Sequence, residues 1–172
     1  MKKNYSELFE KMHIAGKLAA RTLDELTSFV KPGVTTNFLD KICYEYIKDH
    51  GGNSAPLYYK GFPKSCCTST NHIVCHGIPS EKVLKDGDIM NVDVTAFVDE
   101  HHGDTGRMFC IGDVSVKSKN LISTTYESMM KAISIIKPGI KLGDLGATIQ
   151  DHVESKGFSE VTTIPISLSN FC

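Results

Sequence analysis

Apolar side chains recur at helical spacing in two separate parts of the chain. In each part a Pro-Gly pair precedes the apolar positions and a glycine follows them. Apolar residues three and four apart predict an amphipathic helix, while proline and glycine mark where a helix stops. We therefore predict a helix after each Pro-Gly pair, with apolar positions Leu39, Ile42, Cys43, Tyr46 and Ile47 in the first part and Leu142, Leu145, Ile149 and Val153 in the second.

The two parts are related by a constant shift. The segment 30–34, Val-Lys-Pro-Gly-Val, recurs 106 residues later as Ile-Lys-Pro-Gly-Ile at 136–140. Lys-Pro-Gly is a common helix stop, but further positions match at the same shift, which favours duplication over chance. We expect helix pairs at about 10–52 and 118–158. The additional matches are Leu23 with Met129, Phe29 with Ile135, Leu39 with Leu145, Ile47 with Val153 and Gly51 with Gly157.

Between the helix pairs the pattern changes to one typical of strands. Residues 65–74 are rich in Thr, Ser, Cys and β-branched side chains, whereas 89–98 and 105–111 alternate between apolar and polar positions. Such runs predict β-strands, and the polar, glycine-containing segments 85–88 and 99–103 predict turns. The first copy is therefore expected to be two helices followed by strands.

This order of elements predicts an α+β fold built from a repeated unit. The first copy spans about 8–115, and the second begins at about 118 and has its helices by 158. Its strands are not reached before a divergent tail at 160–172. We expect a single incomplete domain covering 1–172.

Composition narrows the class of protein without identifying it. The chain has 172 residues, with 19 basic and 20 acidic side chains and a net charge of −1. This balance argues against a nucleic-acid partner, and no apolar run has the length of a membrane span. The first residues do not form a signal peptide, so we expect a cytoplasmic protein whose six cysteines are free thiols.

Two aspartates stand out in the strand region. Alternation places Asp93 on the polar face of its strand, and a hairpin brings the next strand, with Asp104, alongside it. With an even number of loop residues both carboxylates share one face, where their repulsion would favour a divalent cation. The alternative is two surface aspartates that flank a turn. The opposite, apolar face of the first strand carries Met90, Val92, Val94 and Ala96.

The histidines offer a second candidate group. His76 follows an apolar run and precedes a Gly-Ile-Pro turn, a position from which imidazole can project into a cleft and exchange protons. A hydrogen-bonded loop histidine is the alternative. His102 is close enough to Asp104 in sequence to line the same site, although a solvated turn would also account for it.

Several motifs together resemble the type I methionine aminopeptidases of bacteria. The resemblance runs from about Leu8 to Ser159, and it implies the α+β pita-bread fold, with two halves related by pseudo-twofold symmetry. The chain would hold the N-terminal half and the start of the second. The motifs are Gly61-Phe62-Pro63-Lys64-Ser65, Cys75-His76-Gly77-Ile78-Pro79, Asn91-Val92-Asp93-Val94-Thr95 and His102-Gly103-Asp104-Thr105.

The resemblance also implies roles for individual residues. Asp93 and Asp104 match two metal ligands, and His76 matches a catalytic histidine that contacts the substrate amide. Tyr59, Phe62 and Cys67 match positions that line the pocket for the methionine side chain. Phe62 departs from the family, which usually has tyrosine there. The implied cofactors are divalent metal ions, two per complete site, with Co, Mn, Fe and Zn all left open.

The largest departure lies near the end. After 157–159 the family continues into a strand and a Gly-His-Gly turn that supplies a third metal ligand, and two glutamate ligands follow. Residues 160–172 contain neither histidine nor glycine. We interpret this tail as the product of a shifted or early-ending reading frame, which leaves three of five metal ligands without a counterpart.

Two hypotheses about function follow. In the first, the chain is a metallopeptidase that removes the initiator methionine from nascent proteins as a cytoplasmic monomer, with ribosome association left open and no membrane partner. In the second, it is a catalytically inactive fragment of that family. The sequence beyond the stop codon, read in another frame, would separate them.

Overall fold

The computed structural model describes residues 5–160, which form two compact units that divide between Val114 and Ser115. The first unit holds helices α1 (Tyr5–Leu26) and α2 (Thr36–Asp49), and the second holds α3 (Val116–Ser134) and α4 (Leu142–Ser155). The first unit also contains strands β1 (Asn53–Ser54), β2 (Cys67–Thr70), β3 (Ile89–Val98) and β4 (His101–Cys110).

Strand β3 is the centre of an antiparallel sheet. All ten residues of β3 pair with β4, and β1 and β2 pair with different stretches of β3. The β3–β4 loop is only two residues, Asp99 and Glu100, both with positive φ. This is the turn type whose twist suits a tight hairpin. It contains an even number of residues, so the condition for a shared carboxylate face is met.

The two faces of β3 differ in their burial. Met90, Val92, Val94 and Ala96 are fully buried in a core that also holds Leu23, Leu39 and Ile47 from the two helices. The residues between them are partly exposed on the other face. The Arg107 guanidinium, on the apolar face of β4, donates to Asp24 of α1 at 2.8 Å. The helices therefore cover one side of the sheet and leave the polar side open within this unit.

The strand predictions were correct in place and partly wrong in length. The prediction for β3 is confirmed residue for residue. The predicted strand at 65–74 is only Cys67–Thr70, because Ser65 and Cys66 bind a helix side chain and Asn71 has a left-handed φ of 55°. The predicted turn at 99–103 was wrong beyond its first two residues, since β4 begins at His101 instead of Thr105.

The second unit is a helix pair whose backbone repeats that of the first. Helices α2 and α4 each have 14 residues, and both bounds differ by the predicted 106. The glycine before each helix has nearly the same φ, 91° at Gly33 and 90° at Gly139. The helix pairs expected from the sequence are thus present. The predicted tail at 160–172 lies, apart from Glu160, outside the described residues.

Candidate metal and substrate site

The two predicted carboxylates lie on one face of the sheet. In the β3–β4 register Asp93 is opposite Gly106, and Asp104 is opposite Thr95. Residues directly opposite each other share a face, and so do residues two apart on one strand. Asp93 and Asp104 are therefore diagonal neighbours, as the hairpin argument predicts.

Their proximity perturbs the ionisation of Asp93. Burial, then the charge of Asp104, then a hydrogen bond between the two carboxyl groups raises the pKa of Asp93 to about 6, against a small opposing effect of His76. Two adjacent carboxylates resist ionising together. A cation between them would remove this conflict, so the pair fits a divalent metal ion through its oxygen ligands.

Asp104 is additionally oriented by its cross-strand partner. The Thr95 hydroxyl donates to Asp104 Oδ1 at 2.9 Å. This bond helps to orient the Asp104 carboxylate on the face that it shares with Asp93. The alternation placed Thr95 on the polar face but gave no sign of this supporting role.

His76 is held at the outer edge of β2 by its neighbour Gly77. The Gly77 carbonyl accepts from Thr68 N at 2.7 Å, and Gly77 N donates to the Ser69 hydroxyl at 3.1 Å. A Cβ at Gly77 would overlap the Thr68 carbonyl oxygen, so only glycine allows this approach. His76 itself has a left-handed φ of 54°, and its effect on Asp93 places the imidazole within electrostatic range of the carboxylates.

The predicted pocket residues occupy different settings. Cys67 is buried in β2 directly opposite Asp93, so it shares the carboxylate face. Tyr59 and Phe62 precede β2 in a loop that contains one 3₁₀ turn, Tyr59–Gly61. The Phe62 side chain is 4% exposed and that of Tyr59 is 47% exposed. Of these three, only Cys67 is brought to the sheet face by strand pairing.

A helix carboxylate anchors this loop to β2. Asp40 Oδ1, on α2, accepts from Ser65 N at 2.8 Å, from the Ser65 hydroxyl at 2.6 Å and from Cys66 N at 3.2 Å. These bonds fix the chain between Phe62 and Cys67. Sequence reasoning missed Asp40, because a helix residue 25 positions away carries no local signal of such a contact.

The carboxylate pair is an incomplete metal centre by itself. Within residues 5–160 no three His, Cys, Asp or Glu side chains are grouped so that they could hold a metal ion. Zinc sites, for example, normally use three protein ligands when catalytic and four when structural. The described part of the chain therefore offers two carboxylates that fit a metal and leaves the other ligands to be supplied.

Comparison with known proteins agrees with this chemistry. The model of metallopeptidase family M24 matches residues 10–165. The chain belongs to this family. Membership implies divalent metal ions as cofactors, and the chemistry of the carboxylate pair is consistent with such ions.

Within the family, the chain is similar to methionine aminopeptidases. The chain is 56% identical over 153 residues to a methionine aminopeptidase of Rickettsia prowazekii, a match that covers 89% of this chain and 59% of the relative. The crystal structure of methionine aminopeptidase from the same organism superposes with a TM-score of 0.88 over 90% of this chain and 62% of that one, at 55% identity. A methionine aminopeptidase structure from Thermotoga maritima gives a TM-score of 0.87 at 39% identity, covering 92% and 64%.

These matches confirm the predicted α+β fold of the pita-bread class and the resemblance to bacterial methionine aminopeptidases. They also show that the chain spans about three-fifths of the length of its curated relatives. Two further expectations can be compared with the structure. The five cysteines within the described residues are free thiols, and none of the helices found between residues 5 and 160 is long and apolar enough to cross a membrane. Cys172 lies outside the described residues.

Proposed function

We propose that this chain supplies the first half of the active site of a methionine aminopeptidase, which hydrolyses the bond after the N-terminal methionine of nascent proteins. The observation that carries the proposal is the Asp93–Asp104 pair, held on one sheet face with a raised Asp93 pKa. Perturbed carboxylates on an open face are typical of a functional site. The similarity to relatives named methionine aminopeptidase supports the choice of substrate.

The two carboxylates would hold the divalent ions. Asp93 is partly buried, and a bound cation would offset the repulsion between its carboxylate and that of Asp104, while the Thr95 hydroxyl keeps Asp104 oriented. We propose two ions per complete site, with Co, Mn, Fe or Zn as candidates. When bound, such ions polarise a peptide carbonyl and activate water for hydrolysis.

His76 and the neighbouring loop would bind the substrate. The imidazole, fixed by the contacts of Gly77, would donate a hydrogen bond to the scissile amide and stabilise charge that develops there. Tyr59, Phe62 and Cys67 would surround the methionine side chain. A thioether tolerates phenylalanine in place of tyrosine, because the contact is apolar.

The cellular setting is part of the same proposal. The substrate would be the N-terminal methionine of a nascent peptide, met in the cytoplasm by a monomer at or near the ribosome. The alternative, a fragment without catalytic activity, is favoured by one observation: residues 5–160 bring only two metal-binding carboxylates together. We expect the isolated chain to bind metal weakly and to turn over well below the usual enzyme range of about 1–10³ s⁻¹.

A chimera tests the proposal directly. Residues 1–158 of this chain would be fused to the segment of the Rickettsia prowazekii relative that follows the matched stretch, and methionine release from a Met-Gly peptide would be measured with Mn²⁺ or Co²⁺. We expect metal-dependent turnover that falls by at least about 10²-fold in His76→Ala and is abolished in Asp104→Asn.

The matched control is Asp99→Asn in the turn of the same hairpin. Asp99 has a φ of 46°, a conformation that asparagine also adopts, so activity should be unchanged. A folded chimera without turnover, or one whose activity survives Asp104→Asn, would overturn the proposal.

A further inference from the structure

The loop segment 56–62, which precedes β2, is hydrogen-bonded to itself. Among the described residues its backbone hydrogen bonds all join two members of the segment, for example Tyr58 N with the Phe62 carbonyl oxygen at 2.7 Å. Just before the segment, Ala55 N donates to the Thr95 carbonyl oxygen of β3 at 2.9 Å. The segment is therefore a closed turn whose position depends on how its two ends are attached.

This turn has a strained backbone. Tyr58 and Lys60 have φ of 68° and 47° although neither is a glycine, and Gly61 follows with a φ of 87°. Left-handed conformations are unfavourable for L-residues, and they persist where the surrounding structure enforces them. The attachments at the two ends of the turn must therefore hold it in this shape.

The second attachment is the Asp40 side chain of α2. Its Oδ1 accepts from Ser65 N, from the Ser65 hydroxyl and from Cys66 N. Ser65 and Cys66 are at most 1% exposed, so water does not reach these groups in the folded chain. A buried N–H that loses its acceptor is costly, and a hydrogen bond to a carboxylate is stronger than one between neutral groups. One helix side chain thus fixes the point at which the turn joins β2.

The carboxylate pair is held independently of this attachment. Asp93 and Asp104 lie on β3 and β4, which pair along all ten residues of each strand. Cys67 is held in β2 by its own pairing with Asp93. Loss of the Asp40 contacts should therefore displace Phe62 and leave Cys67 and the two carboxylates in place.

We propose that Asp40 is a positioning residue for substrate selectivity. Through Ser65 and Cys66 it sets where Phe62 lies relative to the carboxylate face, and it thereby determines how well a methionine side chain fits. Asp40 acts through the loop and takes no part in the hydrolytic step. This inference rests on the proposed function, because it requires that the loop and Cys67 surround the substrate side chain.

Hydrogen exchange in the unmodified chain and its variants tests the attachment itself. In Asp40→Ala the amides of Ser65 and Cys66 should exchange at least about tenfold faster, while the amides of β3 stay protected. Asp40→Asn should keep the protection, because an amide oxygen can take the place of Oδ1. Only the ion pair between Asp40 Oδ2 and Lys64 Nζ, at 3.9 Å, is then lost.

Kinetics of the chimera with the Rickettsia segment test the selectivity. In Asp40→Ala we expect the KM for a Met-Gly peptide to rise at least about tenfold and kcat to stay within about threefold, because side-chain binding is lost while the carboxylates stay in place. The ratio of kcat/KM for Met-Gly over Leu-Gly should fall at least about threefold. A loss of folded protein would instead lower kcat and leave KM unchanged.

Two further variants serve as controls. Glu45→Ala removes a carboxylate from the same helix whose ion pair with Lys41 lies on the surface, so exchange and kinetics should both be unchanged. Ser65→Ala removes the hydroxyl and keeps both N–H bonds to Asp40, so it should raise KM by a smaller factor. It replaces Asp40→Ala if circular dichroism shows that Asp40→Ala does not fold.

The possible failures of the two proposals can be told apart. An unchanged KM in Asp40→Ala, or in Ser65→Ala where that variant replaces it, would overturn the positioning role and leave the proposed function in place. The same holds for equal losses in Asp40→Asn and Asp40→Ala, or for unchanged exchange of Ser65 and Cys66. A folded chimera without turnover would overturn the proposed function and, with it, the selectivity role.

Discussion

The two helix pairs of this chain have the same backbone conformation at equivalent residues but differ in how deeply their apolar side chains are buried. Helices α2 and α4 have equivalent bounds, and the glycines that follow them, Gly51 and Gly157, have φ of 79° and 77°. Leu39 is nevertheless fully buried, whereas its counterpart Leu145 is only half-buried. Local sequence is sufficient to set helix bounds and turns, but the burial of Leu39 depends on the sheet that its own unit packs against the helices.

The largest expected difference is in the cost of removing an equivalent leucine. Leu39→Ala should lower the free energy of unfolding by about 2–5 kcal/mol, since it leaves a cavity in the core. Leu145→Ala should cost less than about 1 kcal/mol. Urea titration followed by circular dichroism would measure both variants. Similar costs would show that Leu145 is packed as tightly as Leu39, contrary to the comparison.

The equivalent glycines should behave alike where the leucines do not. Gly33 and Gly139 have φ of 91° and 90°, a region that costs an L-residue about 1 kcal/mol or more. No atom lies within 4 Å of a Cβ at either position, so Gly33→Ala and Gly139→Ala should each destabilise their own helix pair by that strain alone. Unequal losses in thermal unfolding would argue against a shared turn geometry.

The first copy also carries an electrostatic cost, because Asp93 and Asp104 lie close together on β3 and β4. Within the described residues the second copy has no strands and therefore no equivalent pair. Because the pKa of Asp93 is raised to about 6, the folded state holds this proton more tightly than the unfolded state does. Stability should therefore fall as pH rises from about 4 to 6. Asp93→Asn should remove this fall and add about 1 kcal/mol at pH 7, once solvent screening is allowed for.

Unfolding measured at several pH values, with and without Asp93→Asn, checks this expectation. Asp99→Asn, in the turn of the same hairpin, is the matched control and should leave the pH dependence in place. A pH profile of the unmodified chain that is flat between pH 4 and 7 would contradict the raised pKa.

The smallest expected effects concern the helix N-termini, which the two copies cap differently. In α2 the Thr35 hydroxyl accepts from Phe38 N at 3.2 Å, whereas at α4 the Asp144 carboxylate accepts from Lys141 N at 3.1 Å. Thr35→Ala and Asp144→Ala should each cost about 0.5–1 kcal/mol, and Thr35→Ser should cost almost nothing. The helix content measured by circular dichroism at the midpoint temperature of unfolding would report the loss of stability in both variants. A loss with Thr35→Ser equal to that with Thr35→Ala would mean that the hydroxyl is not the cap.

The limits of sequence reasoning in this protein have physical causes. Strand β3 was predicted with its observed bounds because one of its faces is buried and the other is polar, so that apolar and polar residues alternate along it. The start of β4 was missed because its core position is Gly103, where α1 approaches so closely that a side chain would overlap the Ala15 backbone. Without an apolar residue there, His101 and His102 were predicted to form a turn.

The same distinction applies to the site. The shared face of Asp93 and Asp104 follows from alternation and an even loop, both of which are local features. The anchoring of the pocket loop by Asp40 depends on tertiary packing between α2 and the start of β2, which no local pattern reveals. The roles of His76, Tyr59, Phe62 and Cys67 remain predictions that rest on the family resemblance.

Amide hydrogen exchange tests the central comparison most directly. Cys43 and Ile149 occupy equivalent positions in α2 and α4, and their amides have the same helical hydrogen-bonding environment. After correction for intrinsic rates, we expect Cys43 to exchange only through global unfolding of the first unit and Ile149 to exchange at least about tenfold faster through local opening. Equal protection of the two amides in the isolated chain would contradict the account, because it would mean that the second helix pair needs no covering sheet.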